Sequence, residues 1–446
     1  MENNYQKGVD LMNMALPGSQ FDIRAKQILK PFIRKVSKFG FNVPRYFLTG
    51  SKKRNNIVGV TKEKLVIKTD ASKEKFSISI QKIEQAISFI LYKRIVNRKE
   101  LEKYSNYNSA LMGLLEMILF EVARIQKSVK GVLQIRLIGV RFFFSGMDRC
   151  SEADFQTIVH NGGTFILCSY FYLREKGKSL EAFMNKLKDN GLKMILDSGA
   201  FSIHNALEKG KTLVSAARYN SLTAKQRAEM NVVKEITVND FAAVVNEYSD
   251  MIYGYFNLDV IGDAKASAYN FNQLKQLTGK SPIPVWHCDV INWRESDFKL
   301  LNEMVNEDYE IIALGATVPL GKNAGPQRQN KVKEKLFEEI FKRHPEQCFH
   351  WLGGSSDLLL KFPFFSADSS GWIQGRKTNQ IYSFEEQSTE KMNDWSKERC
   401  LAYNVFALSS LEYIGEGIQG SLLFNEFEPK KTRELDNSVQ QLEFAI

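Results

Sequence analysis

The sequence predicts an α/β protein whose larger part is a (β/α)8 barrel of the TIM type, preceded by a basic region of mixed α and β structure. Three observations predict this architecture. Eight short apolar runs recur over about 240 residues, segments with helical periodicity separate them, and most runs end in a small or acidic residue. Near-continuous apolar strands that alternate with helices are typical of parallel strands buried on both faces. Eight such units match the size of a barrel.

The strand and helix predictions depend on specific segments. The apolar runs are LQIRLIGVRFFFSG, GTFILCSYF, KMILDSGAF, MIYGYFNLDV, IPVWHCDV, EIIALGAT, QCFHWLGG and FPFFSADSS. The helical segments between them include SLEAFMNKLKDNG, VNDFAAVVNEYSD, AYNFNQLKQLTG, WRESDFKLLNEMVNED and NKVKEKLFEEIFKRHP. A doubly wound open sheet is the competing prediction. The chain has no GxGxxG after a strand and no GxxxxGK[ST], the nucleotide-binding signatures that would favour such a sheet.

Three parts of the chain are expected. Residues 1–130 form a basic, nucleic-acid-binding region, 131–425 form the barrel, and 426–446 form a polar tail. In the first part KLVIKTD and KFSISI indicate two strands, and QKIEQAISFILYKRIV and SALMGLLEMILFEVARIQKSV indicate two helices. The length of 446 residues agrees with one barrel plus additions.

Composition bounds the class of protein. Hydrophobic residues make up 43% and charged residues 25%, which is ordinary for a soluble globular protein. The five cysteines are scattered without a CxxC pair, which argues against structural zinc and a disulfide framework. The N-terminus MENNYQKGVD is polar and no apolar run reaches the length of a spanning helix. We therefore expect no membrane association and a cytoplasmic location, that of the host if a phage encodes the protein.

The positive charge is concentrated in the first third of the chain. Residues 1–130 hold 25 Lys and Arg against 11 Asp and Glu, a net charge of +14, whereas the remainder has a net charge of −4. A basic segment beside a near-neutral one predicts a polyanionic partner, whose binding releases counterions. A solvated basic surface that binds nothing specific is the alternative.

Acidic and small residues fall where the predicted strands end. Asp197, Asp259 and Asp368 each follow an apolar run, and His287 ends another. Because the carboxyl ends of barrel strands meet at the active site, we expect these side chains to converge. Each acid alone is equally explained as the N-cap of the next helix. The glycine-containing strand ends Leu314-Gly315 and Leu352-Gly353-Gly354 leave room for a flat ligand, or alternatively reflect tight packing.

Residues 190–375 resemble the tRNA-guanine transglycosylase superfamily. LDSGAFS resembles its DSGGFQ-type motif, FNLDVIGD the segment with its second base-binding aspartate, and ALGA its Leu/Gly loop under the base. HWLGG resembles its MGVG-type strand end, and FFSADSSGW the strand that presents its nucleophilic aspartate. The set is most similar to the phage-type branch that acts on DNA. The resemblance implies a pentosyltransferase that exchanges guanine in double-stranded DNA for a 7-deazaguanine such as 7-cyano-7-deazaguanine.

The resemblance also implies roles for individual residues. Asp368 is the expected nucleophile, because a carboxylate can trap C1′ as a covalent glycosyl-enzyme. Asp197 is the expected acid and base on the purine, and Asp259 its hydrogen-bond acceptor. His287 stands where the tRNA enzymes have a glutamine, so it either binds the base or is structural. The remaining base-binding candidates are Leu314, Gly315, Gly353, Ser198 and Gly199.

The chain departs from the tRNA enzymes in two respects. It has no CxCxxC zinc motif, which disfavours a tRNA substrate and the zinc-dependent dimer. We therefore predict no metal and leave the oligomeric state open. We also predict no other cofactor. Its basic first 130 residues have no recognised counterpart there.

A target base must flip out of the duplex, so phosphate contacts must supply a few kcal/mol. The candidate nucleic-acid-binding residues are Arg376, Lys377, Lys52, Lys53, Arg54, Arg94 and Arg98.

Three rival functions stay open. A tRNA or other RNA base-exchange enzyme would use the same chemistry. A glycoside or nucleoside hydrolase on a barrel would use Asp197 and Asp368 as its acid pair and would not need a basic region. A non-catalytic nucleic-acid-binding protein is disfavoured by the intact acids.

Overall fold

The computed structural model describes most of the chain. All eight apolar runs are described except for residue 289 and residues 316–317, at the end of EIIALGAT. The described residues are 20–38, 46–49, 52–70, 75–119, 122–128, 130–177, 179–288, 290–315, 326–345, 347–383 and 388–413. The predicted polar tail, 426–446, lies outside the described residues.

The described part of the N-terminal region contains two small antiparallel sheets and three α-helices. Their sheet orders are β1-β2-β3-β4 and β5-β7-β6. The strands are β1 (Tyr46–Leu48), β2 (Arg54–Val60), β3 (Lys64–Thr69), β4 (Lys75–Ser79), β5 (Ile95–Asn97), β6 (Ala123–Lys127) and β7 (Leu133–Leu137). The α-helices are Gln20–Lys38, Ile80–Lys93 and Asn108–Ile118. The predicted mixture of α and β structure is present here.

The N-terminal region extends beyond residue 130. That position lies between β6 and β7, which pair with each other, and β7 also pairs with β5. The predicted run LQIRLIGVRFFFSG therefore contains strands of two different sheets. The chain leaves the sheet β5-β7-β6 near Gly139. An added Cβ at Gly139 would lie 2.3 Å from the carbonyl oxygen of Glu412. The boundary belongs at about residues 138–140.

The rest of the described chain is built on an eight-stranded parallel sheet of order β13-β10-β9-β8-β17-β16-β15-β14. Its strands and those of two small two-stranded sheets are β8 (Arg141–Ser145), β9 (Phe165–Ser169), β10 (Lys193–Asp197), β11 (Thr212–Val214), β12 (Val232–Lys234), β13 (Ile252–Tyr255), β14 (Val285–His287), β15 (Ile312–Gly315), β16 (Phe349–Trp351), β17 (Ser366–Ser369), β18 (Gln380–Ser383) and β19 (Ser388–Lys391). Each of the eight predicted runs supplies one strand of this large sheet. The prediction of an α/β fold with eight parallel strands is therefore confirmed.

The large sheet is curled, and its outer strands approach each other. Phe256, directly after β13, forms a parallel bridge with Ile283, which lies two residues before β14. The Asn257 N–H donates to the Ile283 carbonyl at 2.9 Å, and the Ile283 N–H donates to the Tyr255 carbonyl at 2.7 Å.

Helices follow most of these strands and cover the sheet. Their bounds are Glu152–His160, Tyr170–Leu173, Ser179–Asp189, Ala200–Glu208, Ala216–Ser221, Ala224–Glu229, Val238–Glu247, Ala264–Thr278, Glu295–Asn306, Pro326–Arg343, Leu358–Lys361, Gln374–Thr378 and Lys397–Ser410. In the described part of the chain, no helix combines the length and apolarity that crossing a membrane requires.

Two hydrophobic cores show which strand residues face which side. Phe142, Phe144 and Ile166 pack in the core beneath the covering helices, whereas Phe143 and Phe165 share a second core with the N-terminal region. Because successive strand side chains point to opposite faces, residues two positions after a member of the second core share its inner face. Ser145 and Ser169 follow Phe143 and Leu167 in this way, Asp197 follows Ile195, and His287 and Gly315 follow Val285 and Ala313.

The N-terminal region is attached at the amino ends of the large sheet's strands. Arg141, the first residue of β8, donates to the carbonyls of Leu91 and Tyr92 at 2.7 and 2.6 Å. The Tyr253 hydroxyl near the start of β13 donates to the Lys93 carbonyl at 3.1 Å. Arg94 donates to the carbonyl of Phe365, directly before β17. The N-terminal region therefore lies at the end of the sheet opposite the carboxyl ends of the strands.

Candidate active site

Asp368 lies at the carboxyl end of β17 and is held by three partners. Ser145 donates its hydroxyl proton to Oδ2 at 2.5 Å, and the Gly353 N–H donates to Oδ1 at 3.1 Å. The His350 Nε2 lies 3.2 Å from Oδ1. Only 9% of the Asp368 side chain is exposed. These partners belong to the neighbouring strands β8 and β16 or to the loop after β16, so the parallel pairing itself orients the carboxylate.

The sequence around Asp368 explains its placement. Phe364 and Phe365 are fully buried before β17, and Ser366 and Asp368 take the inner face. After the strand, the Gly371 N–H donates to the Ser369 hydroxyl at 2.9 Å. A Cβ at Gly371 would lie 2.2 Å from the Tyr382 hydroxyl, so only glycine fits there. An apolar strand thus ends in an acid because its last inward position opens at the carboxyl ends of the sheet.

His350 is a site residue that sequence reasoning missed. It is fully buried in β16, among the rings of Phe143 and Phe256. Its Nδ1 lies 2.8 Å from the Ser366 hydroxyl, which leaves Nε2 for Asp368. When Ser366 donates to Nδ1, the Nε2–H donates to the carboxylate. The available signal was a histidine within the otherwise apolar run QCFHWLGG.

Asp197 ends β10 on the same inner face. Burial raises the pKa of its carboxyl to about 6, and the negative charge of Asp368 acts in the same direction. The Ser169 hydroxyl on β9 and the Gly199 N–H, 3.1 Å from Oδ2, oppose that rise. The structure therefore brings the two predicted catalytic acids into one electrostatic environment. Their surroundings differ, because Asp368 has three hydrogen-bond partners and Asp197 is dominated by desolvation.

Asp259 and His287 are also brought together, after β13 and at the end of β14. The His287 Nε2 lies 3.2 Å from the Asp259 Oδ2, and the Asn257 amide donates to Oδ1 at 2.7 Å. The histidine side chain is 35% exposed, so one face of the pair is open to solvent. Gly315 makes this arrangement possible, because a Cβ there would lie 2.7 Å from the His287 Nδ1.

Two of the other base-binding candidates, both glycines, contribute backbone N–H groups to the site. Gly353, with φ of +72°, donates its N–H to Asp368, and Gly199, with φ of +85°, donates to Asp197. The Leu314 side chain is buried in the core beneath the helices. The Ser198 hydroxyl donates to the Asn257 carbonyl at 2.9 Å, so it ties the ends of β10 and β13 together.

Two further residues near the carboxyl ends of the strands were not singled out from the sequence. Asp148 is 7% exposed in the turn after β8, and its Oδ2 lies 3.6 Å from the Arg149 guanidinium without a hydrogen bond. Burial raises the pKa of its carboxyl, and its charge adds to the rise at Asp197. Phe201, four residues after Asp197, is 60% exposed. No periodicity or spacing in the sequence distinguishes either residue.

The basic candidates fall into two groups. Arg376 and Lys377 lie on the short helix after β17, at the same end of the sheet as Asp368. Arg376 forms an ion pair with the buried Asp154 at 2.6 Å, so its charge is largely compensated, whereas Lys377 is exposed. Lys52, Lys53, Arg54 and Arg98 are exposed on the N-terminal region, at the other end of the sheet.

Arg94 is not a surface residue, which corrects its assignment as a phosphate contact. Its side chain is fully buried, lies 3.6 Å from the Glu412 carboxylate and donates to the carbonyls of Phe365 and Gly139. Burial lowers the pKa of its guanidinium to about 10, opposed by Glu412. Arg94 holds the N-terminal region against the sheet, and a charge cluster in a sequence does not reveal such burial.

Metal chemistry has no obvious location among the described residues, where no three His, Cys, Asp or Glu side chains are grouped to hold an ion. All five cysteines are free thiols, and four of them are buried.

Comparisons with known families and curated proteins find no match, whereas comparison with solved structures finds distant similarity. Among solved structures, the chain is similar to an enolase protein from the environmental genome shotgun sequencing of the Sargasso Sea. The identity is 9%, the match covers 68% of this chain and 80% of that one, and the TM-score is 0.27. At that TM-score the likeness carries no argument about this chain.

Proposed function

We propose that the curled sheet closes into a (β/α)8 barrel and that its mouth exchanges guanine in DNA for a 7-deazaguanine base. The bridge between Phe256 and Ile283 supports closure, because it links the two outer strands of the sheet. In such barrels the active site lies at the carboxyl ends of the strands. Asp197, Asp259, His287 and Asp368 all lie at those ends.

One observation carries the proposal of base exchange. Two carboxyl groups share one electrostatic environment, yet Asp368 is held by three hydrogen-bond partners and Asp197 has a pKa raised to about 6. A carboxyl group that accepts several hydrogen bonds is suited to act as the nucleophile, and a neighbouring carboxyl with a raised pKa is suited to act as the proton donor. Glycosyl transfer with retention through a covalent intermediate needs both roles.

The first step releases guanine. The Asp368 carboxylate attacks C1′ of the flipped nucleotide while the C1′–N9 bond breaks. The bonding electron pair goes to the departing guanine, and protonated Asp197 supplies the proton that neutralises it. The partners of Asp368 fix the attacking carboxylate in position, which lowers the entropic cost of reaching the transition state.

The second step reverses the first with a different base. The incoming 7-deazaguanine gives its N9 proton to the Asp197 carboxylate and attacks C1′. The Asp368 carboxylate then leaves, so no net proton or electron is consumed. The Asp259–His287 pair would recognise the base, with Asp259 accepting from N1–H and the exocyclic amine. The exposed ring of Phe201 offers a face for stacking.

DNA is the favoured polymer for two reasons. The chain lacks the CxCxxC zinc motif of the tRNA enzymes, and its first 130 residues have a net charge of +14. A small-molecule hydrolase would not need the basic region.

The experiment is a base-exchange assay. The purified full chain is incubated with DNA or tRNA that contains radiolabelled guanine, 7-cyano-7-deazaguanine is added, and the released label is followed. We expect release from DNA and none from tRNA. Release from tRNA alone would replace the substrate, and release from neither would contradict base exchange.

A further inference from the structure

The connection between β10 and β13 forms an exposed structure at the proposed mouth. Its first part, residues 200–234, begins three residues after Asp197 and contains three short helices and the two-stranded sheet β11–β12. We call residues 200–234 the mouth insertion. Few of its side chains are buried, so a substantial surface is available to a partner.

The mouth insertion is attached firmly to the carboxyl ends of the strands. Arg174, after β9, donates to the Glu235 carbonyl at 2.7 Å. Gly199 packs directly on Phe171, since an added Cβ would lie 2.6 Å from the Phe171 Cβ. These contacts tie the residues on either side of the insertion, Gly199 and Glu235, to the segment that follows β9.

The charge of the mouth insertion contrasts with its surroundings. It has six Lys and Arg residues against two Glu residues, a net charge of +4. Residues 131–446 together have a net charge of −4, so the rest of that part of the chain has a net charge of −8. Its exposed cations include Lys209, Lys211 and Arg218. A local basic surface on an otherwise acidic body attracts a polyanion to that one place.

Exposed apolar side chains are interspersed with these cations. Leu207, Leu213 and Met230 are between 41% and 45% exposed. Leu207 lies on the helix Ala200–Glu208, Leu213 on β11, and Met230 directly after the helix Ala224–Glu229. A membrane-binding segment instead gathers its apolar residues on one face of a longer helix. Cations mixed with scattered apolar contacts suit a nucleic-acid strand, whose phosphates alternate with sugars and bases.

Other cations are less suited to contact a strand at the mouth. Arg376 is paired with Asp154, and Lys377 beside it offers one exposed charge. The exposed cations of the N-terminal region lie at the opposite end of the sheet. We propose that the mouth insertion binds the phosphate backbone of the DNA strand next to the flipped guanosine. This inference rests on the proposed function, because it assigns the polymer contact of the same site.

The test compares two triple variants with equal charge change. Lys209→Gln, Lys211→Gln and Arg218→Gln neutralise the mouth insertion. Lys265→Gln, Lys275→Gln and Lys299→Gln neutralise exposed lysines on the helices Ala264–Thr278 and Glu295–Asn306. Binding of a short guanine-containing DNA duplex is titrated over a range of KCl without any incoming base, and thermal unfolding verifies that both variants fold.

We expect the insertion variant to bind DNA about tenfold or more weakly. Its slope of log Kd against log salt should be smaller by about 0.9 for each phosphate that the protein no longer neutralises. The helix variant should bind like the unaltered protein. Equal affinity of both variants, or weaker binding to anionic vesicles and not to DNA, would overturn the inference. The binding assay does not depend on base exchange, so the two proposals can fail separately. If the unaltered protein shows no exchange but the insertion variant still binds DNA more weakly, the inference stands and the proposed function fails.

Discussion

The role proposed for Asp368 depends on its neighbours at the carboxyl ends of the strands. Ser145, His350 and Gly353 all reach its carboxylate, and each belongs to a strand beside β17 or to the loop that follows it. His350 does not face the substrate region, since it is fully buried beneath the acid. We regard it as a positioning residue for the nucleophile.

His350→Phe should reduce guanine release about 10²-fold, because it removes a hydrogen bond to the nucleophile and leaves Ser366 unpaired. His350→Gln keeps an amide that can donate to Asp368 and should recover part of the rate. Single-turnover release measures both. Equal rates for the two variants would contradict a positioning role through this hydrogen bond.

The pKa of Asp197 predicts how the reaction depends on pH. A general acid acts when protonated, so guanine release should fall about tenfold per pH unit above pH 6, given the pKa of about 6. Asp197→Asn should abolish release at every pH. A pH profile of single-turnover release tests the prediction. A flat profile between pH 5 and 8 in the unaltered protein would argue against Asp197 as the acid.

The raised pKa of Asp197 also predicts how the stability of the protein depends on pH. A carboxyl whose pKa rises on folding stabilises the protein below its unfolded pKa, and that contribution is lost as pH rises through the folded value. At pH 8 the neutral Asp197→Asn variant should therefore be more stable than the unaltered protein, by about 1–3 kcal/mol. Urea unfolding at pH 5 and pH 8 measures the difference. Lower stability of the variant at pH 8 would mean that the site does not penalise the charge.

At the scale of elements, glycines at strand ends decide which side chains can meet. His287 packs directly on Gly315, at the end of the neighbouring β15. Gly315→Ala should displace His287 from Asp259 and raise the KM for the incoming base by about tenfold, with a smaller effect on kcat. Steady-state kinetics with varied 7-cyano-7-deazaguanine measure the change.

Gly254→Ala in β13 is the matched control. An added Cβ there meets only the end of the Ile283 side chain, at 3.1 Å, which can adjust. An unchanged KM in Gly315→Ala, or an equal rise in both variants, would contradict the role given to the Asp259–His287 pair.

The sequence predicted the strands better than it predicted burial. Each run was recognised because parallel strands buried on both faces are continuously apolar, and the inward positions of Asp197 and Asp368 followed from the strand ends. The break at Gly139 was missed, because an apolar run does not show that its two halves join different sheets. Arg94 and His350 were misjudged or missed for a related reason. Pairing with Glu412, or with Ser366 and Asp368, depends on distant segments that periodicity does not reveal.

At the scale of the whole molecule, the N-terminal region and the large sheet share a core and a buried ionic network. Arg94 and Arg141 are fully buried beside Glu412, which follows the last long helix. This network joins three distant parts of the chain at the amino ends of the strands. The described N-terminal region is therefore a structural part of the molecule.

Glu412→Gln should destabilise the protein by about 3–5 kcal/mol, because it removes the carboxylate that lies beside two buried guanidinium groups. Glu229→Gln, which breaks the exposed pair with Lys225, should change stability by less than about 0.5 kcal/mol. Denaturant unfolding compares the two variants. Similar small effects in both would show that the network does not hold the two parts together.

The central claim is that Asp368 forms a covalent bond to C1′ at a mouth it shares with Asp197. The most direct measurement is mass spectrometry of peptides from protein that was incubated with guanine-containing DNA and denatured before any base was added. The account predicts a nucleotide adduct on the peptide that contains Asp368, and none in Asp368→Asn. An adduct on another residue, or base exchange that persists in Asp368→Asn, would contradict it.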